Sequence, residues 1–178
     1  MEQRKLVLFI ATSLDGYIAR NDDSLDWLYK IEGEGDNGYF TFYENIDTVI
    51  MGRKTYDWIL KQELEEFPYK NKECYVFSRT PQENNANVTF SNAEPKELIK
   101  RLKTEKGKNI WLVGGGELLH AFLNEQLVDE LIITVAPTII GEGIPLFKEG
   151  VCESEFTLLG MKQYNQFAEL HYKLKKGQ

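Results

Sequence analysis

The sequence predicts an α/β domain whose mostly parallel central sheet is flanked by helices and closed by an antiparallel hairpin at the C-terminus. The first sign is the junction at Ile110-Trp111-Leu112-Val113-Gly114-Gly115-Gly116-Glu117-Leu118-Leu119-His120-Ala121-Phe122-Leu123. Four apolar residues read as a buried strand, and apolar residues return at helical spacing directly after the glycines. The second sign is repetition, because Lys5–Thr12, Asp47–Met51, Cys74–Phe77 and Leu131–Ala136 are apolar runs of strand length separated by helix-compatible stretches. The third is Glu155–Leu174, where apolar and polar residues alternate as in a hairpin with one wet face. A chain of 178 residues with 42% hydrophobic content can bury one sizeable core, so residues 1–178 are expected to form a single domain.

Charge narrows the function classes. A formal net charge of -7 disfavours nucleic acid and anionic membranes as partners, because a general phosphate-binding surface needs a positive excess. Any phosphate binding must therefore be local. Cys74 and Cys152 lie far apart without a CxxC or His-rich neighbour, so no metal site is expected, and both read as free, buried thiols. The charged start Met1-Glu2-Gln3-Arg4-Lys5 precedes only a short apolar run, which points to a cytoplasmic protein without a membrane span.

Lys5–Thr12 carries an unbroken apolar run from Leu6 to Ala11, as a mid-sheet strand covered on both faces should. Ser13-Leu14-Asp15-Gly16 brings turn chemistry, with Asp15 bonding local backbone in the simplest reading, before Tyr17-Ile18-Ala19 resumes an apolar stretch. Arg20–Asn37 reads as a mobile polar loop pinned by Trp27. Gly38–Asn45, with Tyr39, Phe40, Phe42 and Tyr43, is compatible with a short helix; its rings are either ordinary core or an aromatic wall for a flat heterocycle. Asp47–Met51 is the next strand, and Val88–Phe90 a short later one. Pro95–Lys106 is expected to be a surface helix with Leu98, Ile99 and Leu102 inward. Pro137–Phe147 reads as a loop before the final hairpin.

Three strand ends carry anion-binding chemistry. Gly-Gly-Gly between strand and helix permits positive φ and close approach of a ligand to the backbone, and the free N–H groups of a helix start favour a diphosphate. Gly52-Arg53-Lys54-Thr55 places two cations at a second helix start, with Thr55 a possible cap. Ser78-Arg79 adds a hydroxyl and a guanidinium fork at a third strand end. Neither GxGxxG nor a Walker sequence is present.

In order and approximate spacing, Ile50-Met51-Gly52-Arg53-Lys54-Thr55, Ser78-Arg79 and Val113-Gly114-Gly115-Gly116-Glu117 resemble the cofactor-binding turns of dihydrofolate reductase. Ser13-Leu14-Asp15-Gly16-Tyr17-Ile18-Ala19 and Ala136-Pro137-Thr138-Ile139-Ile140-Gly141 are more similar to the reductase domain of the bifunctional riboflavin-biosynthesis enzymes. The resemblance implies a dihydrofolate reductase-like three-layer fold and NADPH as cofactor. It places Gly52, Arg53, Lys54 and Thr55 on the 2'-phosphate and diphosphate side, Ser78 and Arg79 at the 2'-phosphate, and Val113 to Glu117 at the diphosphate. Ala11 and Ile18 would flank the nicotinamide. Cations at two separate strand ends agree with an additional phosphate.

For the substrate, the resemblance implies one acid on the helix preceding the Met51-Gly52-Arg53 strand end. Counting back without gaps puts Asp36 near that place, with Glu32 and Asp26 as rivals, while Asp36-Asn37-Gly38 is equally a good turn sequence. Trp27, Tyr39 and Phe40 could desolvate such an acid and suit it to proton donation. Thr134 resembles the threonine that supports the acid in folate enzymes, though a lone strand threonine is also ordinary core. Asp15, Trp27 and Phe40 are carried as substrate-side residues. The expected activity is hydride transfer from NADPH to a small pteridine- or pyrimidine-like heterocycle. Alternatives are reduction of 5-amino-6-(5-phosphoribosylamino)uracil or of dihydrofolate, or cofactor sensing without catalysis. Related reductase domains pair, so a homodimer through the apolar C-terminal hairpin is also expected.

Overall fold

The computed structural model describes residues 3–175, leaving Met1 and Glu2 of the charged start outside the described residues. Among the described residues, ten strands and five helices follow the predicted alternation. Strand β1 (Leu6–Thr12) leads through β2 (Tyr17–Ala19), α1 (Asp26–Tyr29) and α2 (Tyr39–Glu44) to β3 (Ile46–Gly52). Then come α3 (Arg53–Lys61), β4 (Glu73–Phe77), β5 (Thr89–Ser91), α4 (Pro95–Thr104), β6 (Asn109–Gly114) and α5 (Gly116–Asn124). The chain closes with β7 (Glu130–Val135), β8 (Ile144–Pro145), β9 (Phe156–Tyr164) and β10 (Phe167–Leu174).

Eight strands form one sheet in the order β5-β4-β3-β6-β1-β7-β10-β9, while β2 and β8 pair separately. Every pairing from β5 to β7 is parallel, and β10 and β9 add the antiparallel edge. Because β1 is central, its Leu6, Val7 and Leu8 are buried, as its unbroken apolar run requires.

Alternating side chains divide between two layers. On one face Leu8, Ile50, Leu112 and Ile133 pack under α4 and α5, whose Leu98, Ile99, Leu102, Leu119 and Phe122 are buried there. On the other face Val49, Met51, Val76 and Trp111 meet α3 and the rings of Tyr39, Phe42 and Tyr43. Phe9 stacks on Phe42 at 4.2 Å, and Trp111 meets Phe42 edge-on at 5.4 Å. Most of the aromatic segment is therefore core, because its rings fill the gap over the central strands.

The structure corrects several expectations. Thr55 does not cap its helix: α3 already begins at Arg53 with Gly52 at the cap position, so Thr55 lies inside the first turn. Cys152 is exposed, and only Cys74 is a buried thiol, because Cys152 follows β8 in irregular chain while Cys74 points into a strand face. The segment Arg20–Asn37 holds the short helix α1, and the loop after Pro137 contains β8. Among the described residues, no helix is long and apolar enough to cross a membrane.

Candidate active site

Parallel pairing brings the carboxyl ends of β4, β3, β6, β1 and β7 to one edge of the sheet. That edge of an open parallel sheet is where ligands are received. Gly52 sits opposite Phe77, just before Ser78, and Met51 sits opposite Gly114. The three predicted anion turns are thus neighbours. Gly114 (φ 137°) and Gly115 (φ 96°) hold conformations that side chains resist. A Cβ on Gly115 would stand 3.3 Å from Thr55 Oγ1 and 3.7 Å from Gly52 Cα, so the second and third turns are packed on each other.

Helices α3 and α5 both start at this edge, and neither has a side-chain cap hydrogen bond. Their first N–H groups are left for water or for a ligand. Lys148 pairs with Glu117 and holds its carboxyl below the usual range, with Arg79 and Lys54 acting in the same direction. Cations from two different strand ends therefore act on the start of α5. Arg53 donates to Asp57 (2.7 Å) and lies over the Phe90 ring at 5.7 Å, on the β5 side. Ser78 donates its hydroxyl to the Thr80 carbonyl (2.8 Å) and its N–H to Ser91. Val113 packs in the α3-side core just behind the glycines.

Ala11 lies at the carboxyl end of β1, and Ile18 packs against the α4- and α5-side core. Asp15 does not present a free carboxylate to a substrate. It accepts from Ser13 Oγ (2.7 Å), Ile140 N (3.2 Å) and Gly141 N (2.8 Å), and the Ser13 bond foremost holds its carboxyl low. It ties the β1–β2 turn to the loop after β7, which is the turn-forming role its sequence allows.

The acids expected before β3 are exposed or engaged elsewhere. Asp36 is exposed and accepts from Gly38 N (3.1 Å) and Phe40 N (2.5 Å), so it caps α2. Asp26 is held low and ionised by Arg20 and Lys30, and Glu32 is exposed. Phe40 is 66% exposed on the outer side of α2. Trp27 is 2% exposed and packs on Ala136 and Phe167 as core, although its Nε1 has no hydrogen-bond partner.

Thr134 stands in register with an acid, but one from a different strand. Register runs Ala11–Thr134–Glu169–Lys162 across β1, β7, β10 and β9, and residues in register share a face. Thr134 is 7% and Glu169 6% exposed. Burial pushes the Glu169 carboxyl up, against the weaker pull of Lys162 and His171. Sequence reading missed Glu169 because it sits in the hairpin, over 30 residues after Thr134. The available signal was a lone acid at an inward position of Phe167-Ala168-Glu169-Leu170, where an alternating strand should carry an apolar residue.

A cavity of about 470 Å³ opens at the opposite, amino edge beside Arg4, Lys5, Asp129, Glu130, Lys173 and Leu174. Its charges are engaged in structure: Arg4 bonds Lys108 O (2.7 Å), Thr48 Oγ1 (2.6 Å) and Asp47, while Glu130 pairs with Lys5 and His171. The geometry favours the carboxyl edge as the ligand site.

A family model described as the RibD C-terminal domain matches residues 4–169. The uncharacterized protein YwjB of Bacillus subtilis (strain 168) is 51% identical over 96% of this chain and 98% of its own length. A crystal structure from Shewanella sp. PV-4, assigned provisionally to riboflavin biosynthesis, superposes with a TM-score of 0.88 at 31% identity, covering 97% of this chain and 99% of that one. The bifunctional diaminohydroxyphosphoribosylaminopyrimidine deaminase/5-amino-6-(5-phosphoribosylamino)uracil reductase of Thermotoga maritima superposes with a TM-score of 0.70 at 18% identity, over 97% of this chain and 57% of that one.

Proposed function

The chain belongs to the RibD C-terminal domain family, with its dihydrofolate reductase-like fold, and from that premise we propose that it is an NADPH-dependent reductase of a small, flat heterocycle. The observation that carries this reading is the convergence of two helix starts without side-chain caps, a glycine-only turn and the cations Lys54 and Arg79 at one sheet edge. Those donors suit a dinucleotide. Gly114 to Gly116 and the α5 start would receive the diphosphate, the α3 start and Arg79 the 2'-phosphate, and Ala11 and Ile18 the nicotinamide. When bound, the cofactor supplies a hydride. The chain's own contribution is to orient the heterocycle and to exclude water, with Ala11 in register with the polar residues of β7 and β10.

A pyrimidine is favoured over a pteridine by the provisional riboflavin assignment of the Shewanella relative. The proposal extends to a homodimer through the β9–β10 hairpin, where Leu158, Leu159 and Met161 are 46%, 50% and 70% exposed.

Titration of the purified protein with NADPH and with NADH, read by heat, tests the cofactor reading. Saturable binding with a clear NADPH preference is expected. Absence of binding by either nucleotide would remove the reductase assignment.

A further inference from the structure

Lys148, delivered by the chain that follows β8, adds a further cation to the carboxyl edge. That chain is fixed along α5. Leu146 N donates to Gly16 O (2.9 Å), Val151 packs on the α4- and α5-side core, and Cys152 N donates to Asn124 Oδ1 (2.7 Å) at the last residue of the helix. Lys148 is thereby held against the other end. A Cβ on Gly116, the first residue of α5, would stand 3.4 Å from Lys148 Cε and 3.4 Å from Ile144 Cγ2, so the lysine stem lies on the helix start.

A helix start is the positive end of the helix dipole, and a cation there is unfavourable unless an anion compensates it. Glu117, in the first turn, is the carboxylate that answers Lys148, Arg79 and Lys54. Lys148 pairs with it directly, whereas Arg79 and Lys54 act through space. One carboxylate facing three cations leaves a local positive excess, in a chain whose net charge is -7. Both paired side chains reach solvent, Lys148 at 29% and Glu117 at 66% exposure, so the pair is of the weak, exchangeable kind.

We propose that Lys148 is a further ligand for the diphosphate of the dinucleotide and that Glu117 is a placeholder, holding the lysine until the diphosphate binds and then releasing it. The proposal rests on the reductase reading, which puts the diphosphate at Gly114 to Gly116. Glu117 then opposes the phosphates instead of holding them, because like charges repel. A diphosphate carries more charge than a carboxylate and offers more acceptor oxygens, so it takes the lysine. A singly charged anion has no such advantage over Glu117. With the chain anchored on both sides of Lys148, the exchange needs only side-chain rotation.

The test is calorimetric titration of wild type, Glu117→Gln, Lys148→Met and the double variant with NADPH. Glu117→Gln, which keeps the shape and removes the charge, should bind about threefold or more tighter than wild type. Lys148→Met should bind about threefold or more weaker, and its loss should be larger in the Glu117→Gln background, where the lysine is already released. Equal or weaker binding by Glu117→Gln would overturn the placeholder. Equal losses from Lys148→Met in the two backgrounds would leave plain charge repulsion and overturn the exchange, and no loss in the Glu117→Gln background would remove the lysine from the site. Saturable NADPH binding with any of these results removes only the exchange, whereas no saturable binding by any of the four proteins removes the reductase reading itself.

Discussion

At the residue scale, carboxylates of similar sequence character take different tasks because their surroundings differ. Asp15 and Asp36 are exposed and accept from backbone N–H groups, which spends them on turns and caps, and at Asp15 the Ser13 hydroxyl foremost favours the ionised form. Glu169 is desolvated without such donors, which favours the protonated form. The sign has a consequence for stability. A carboxyl raised in the folded state contributes stability that is complete at low pH and is lost as pH rises from the ordinary glutamate range through the raised value. Glu169→Gln should therefore unfold at higher urea concentration than wild type at neutral pH, with the gap closing on acidification; a constant gap across pH would exclude this titration. Arg79 belongs to the same scale. Arg79→Ala should weaken NADPH by about tenfold or more while leaving NADH within about twofold, and equal losses in titration would remove the 2'-phosphate role.

At the element scale, the site depends on turns that bring helix starts together. Gly115 holds φ 96° beside Thr55 Oγ1 and Gly52, so a methyl group there is strained and crowded at once. Gly115→Ala should lower the unfolding free energy by about 1–3 kcal/mol and weaken NADPH, whereas Gly150→Ala, at φ 81° with open space around it, should leave the nucleotide titration unchanged. Helix α1 shows the converse dependence on packing. With four residues and no side-chain cap, it is held by Trp27, which is buried in the cluster with Ala136 and Phe167. Trp27→Ala should cost about 3–5 kcal/mol of stability, measured by denaturant unfolding.

At the scale of the whole molecule, the β9–β10 hairpin turns one face to the site and leaves the other with exposed Leu158 and Met161. Pairing of two copies there would cover both the apolar residues and the open edge of β9. Wild type is expected to sediment as a dimer, and Met161→Glu as a monomer; identical sedimentation would place the interface elsewhere. Local pattern was enough to reveal the strands of the main sheet, the inward face of α4 and the glycine turn after β6, because apolar periodicity and glycine conformation are properties of neighbouring residues. The identity of the buried acid was beyond its reach. Which carboxyl is stripped of water depends on strand register across β7 and β10 and on what covers the face, and these arise only when distant segments pack. Asp36 could satisfy itself locally, so the fold spends it on a cap; Glu169 could not, so the fold leaves its carboxyl in register with Thr134 and with Lys162 at 3.9 Å.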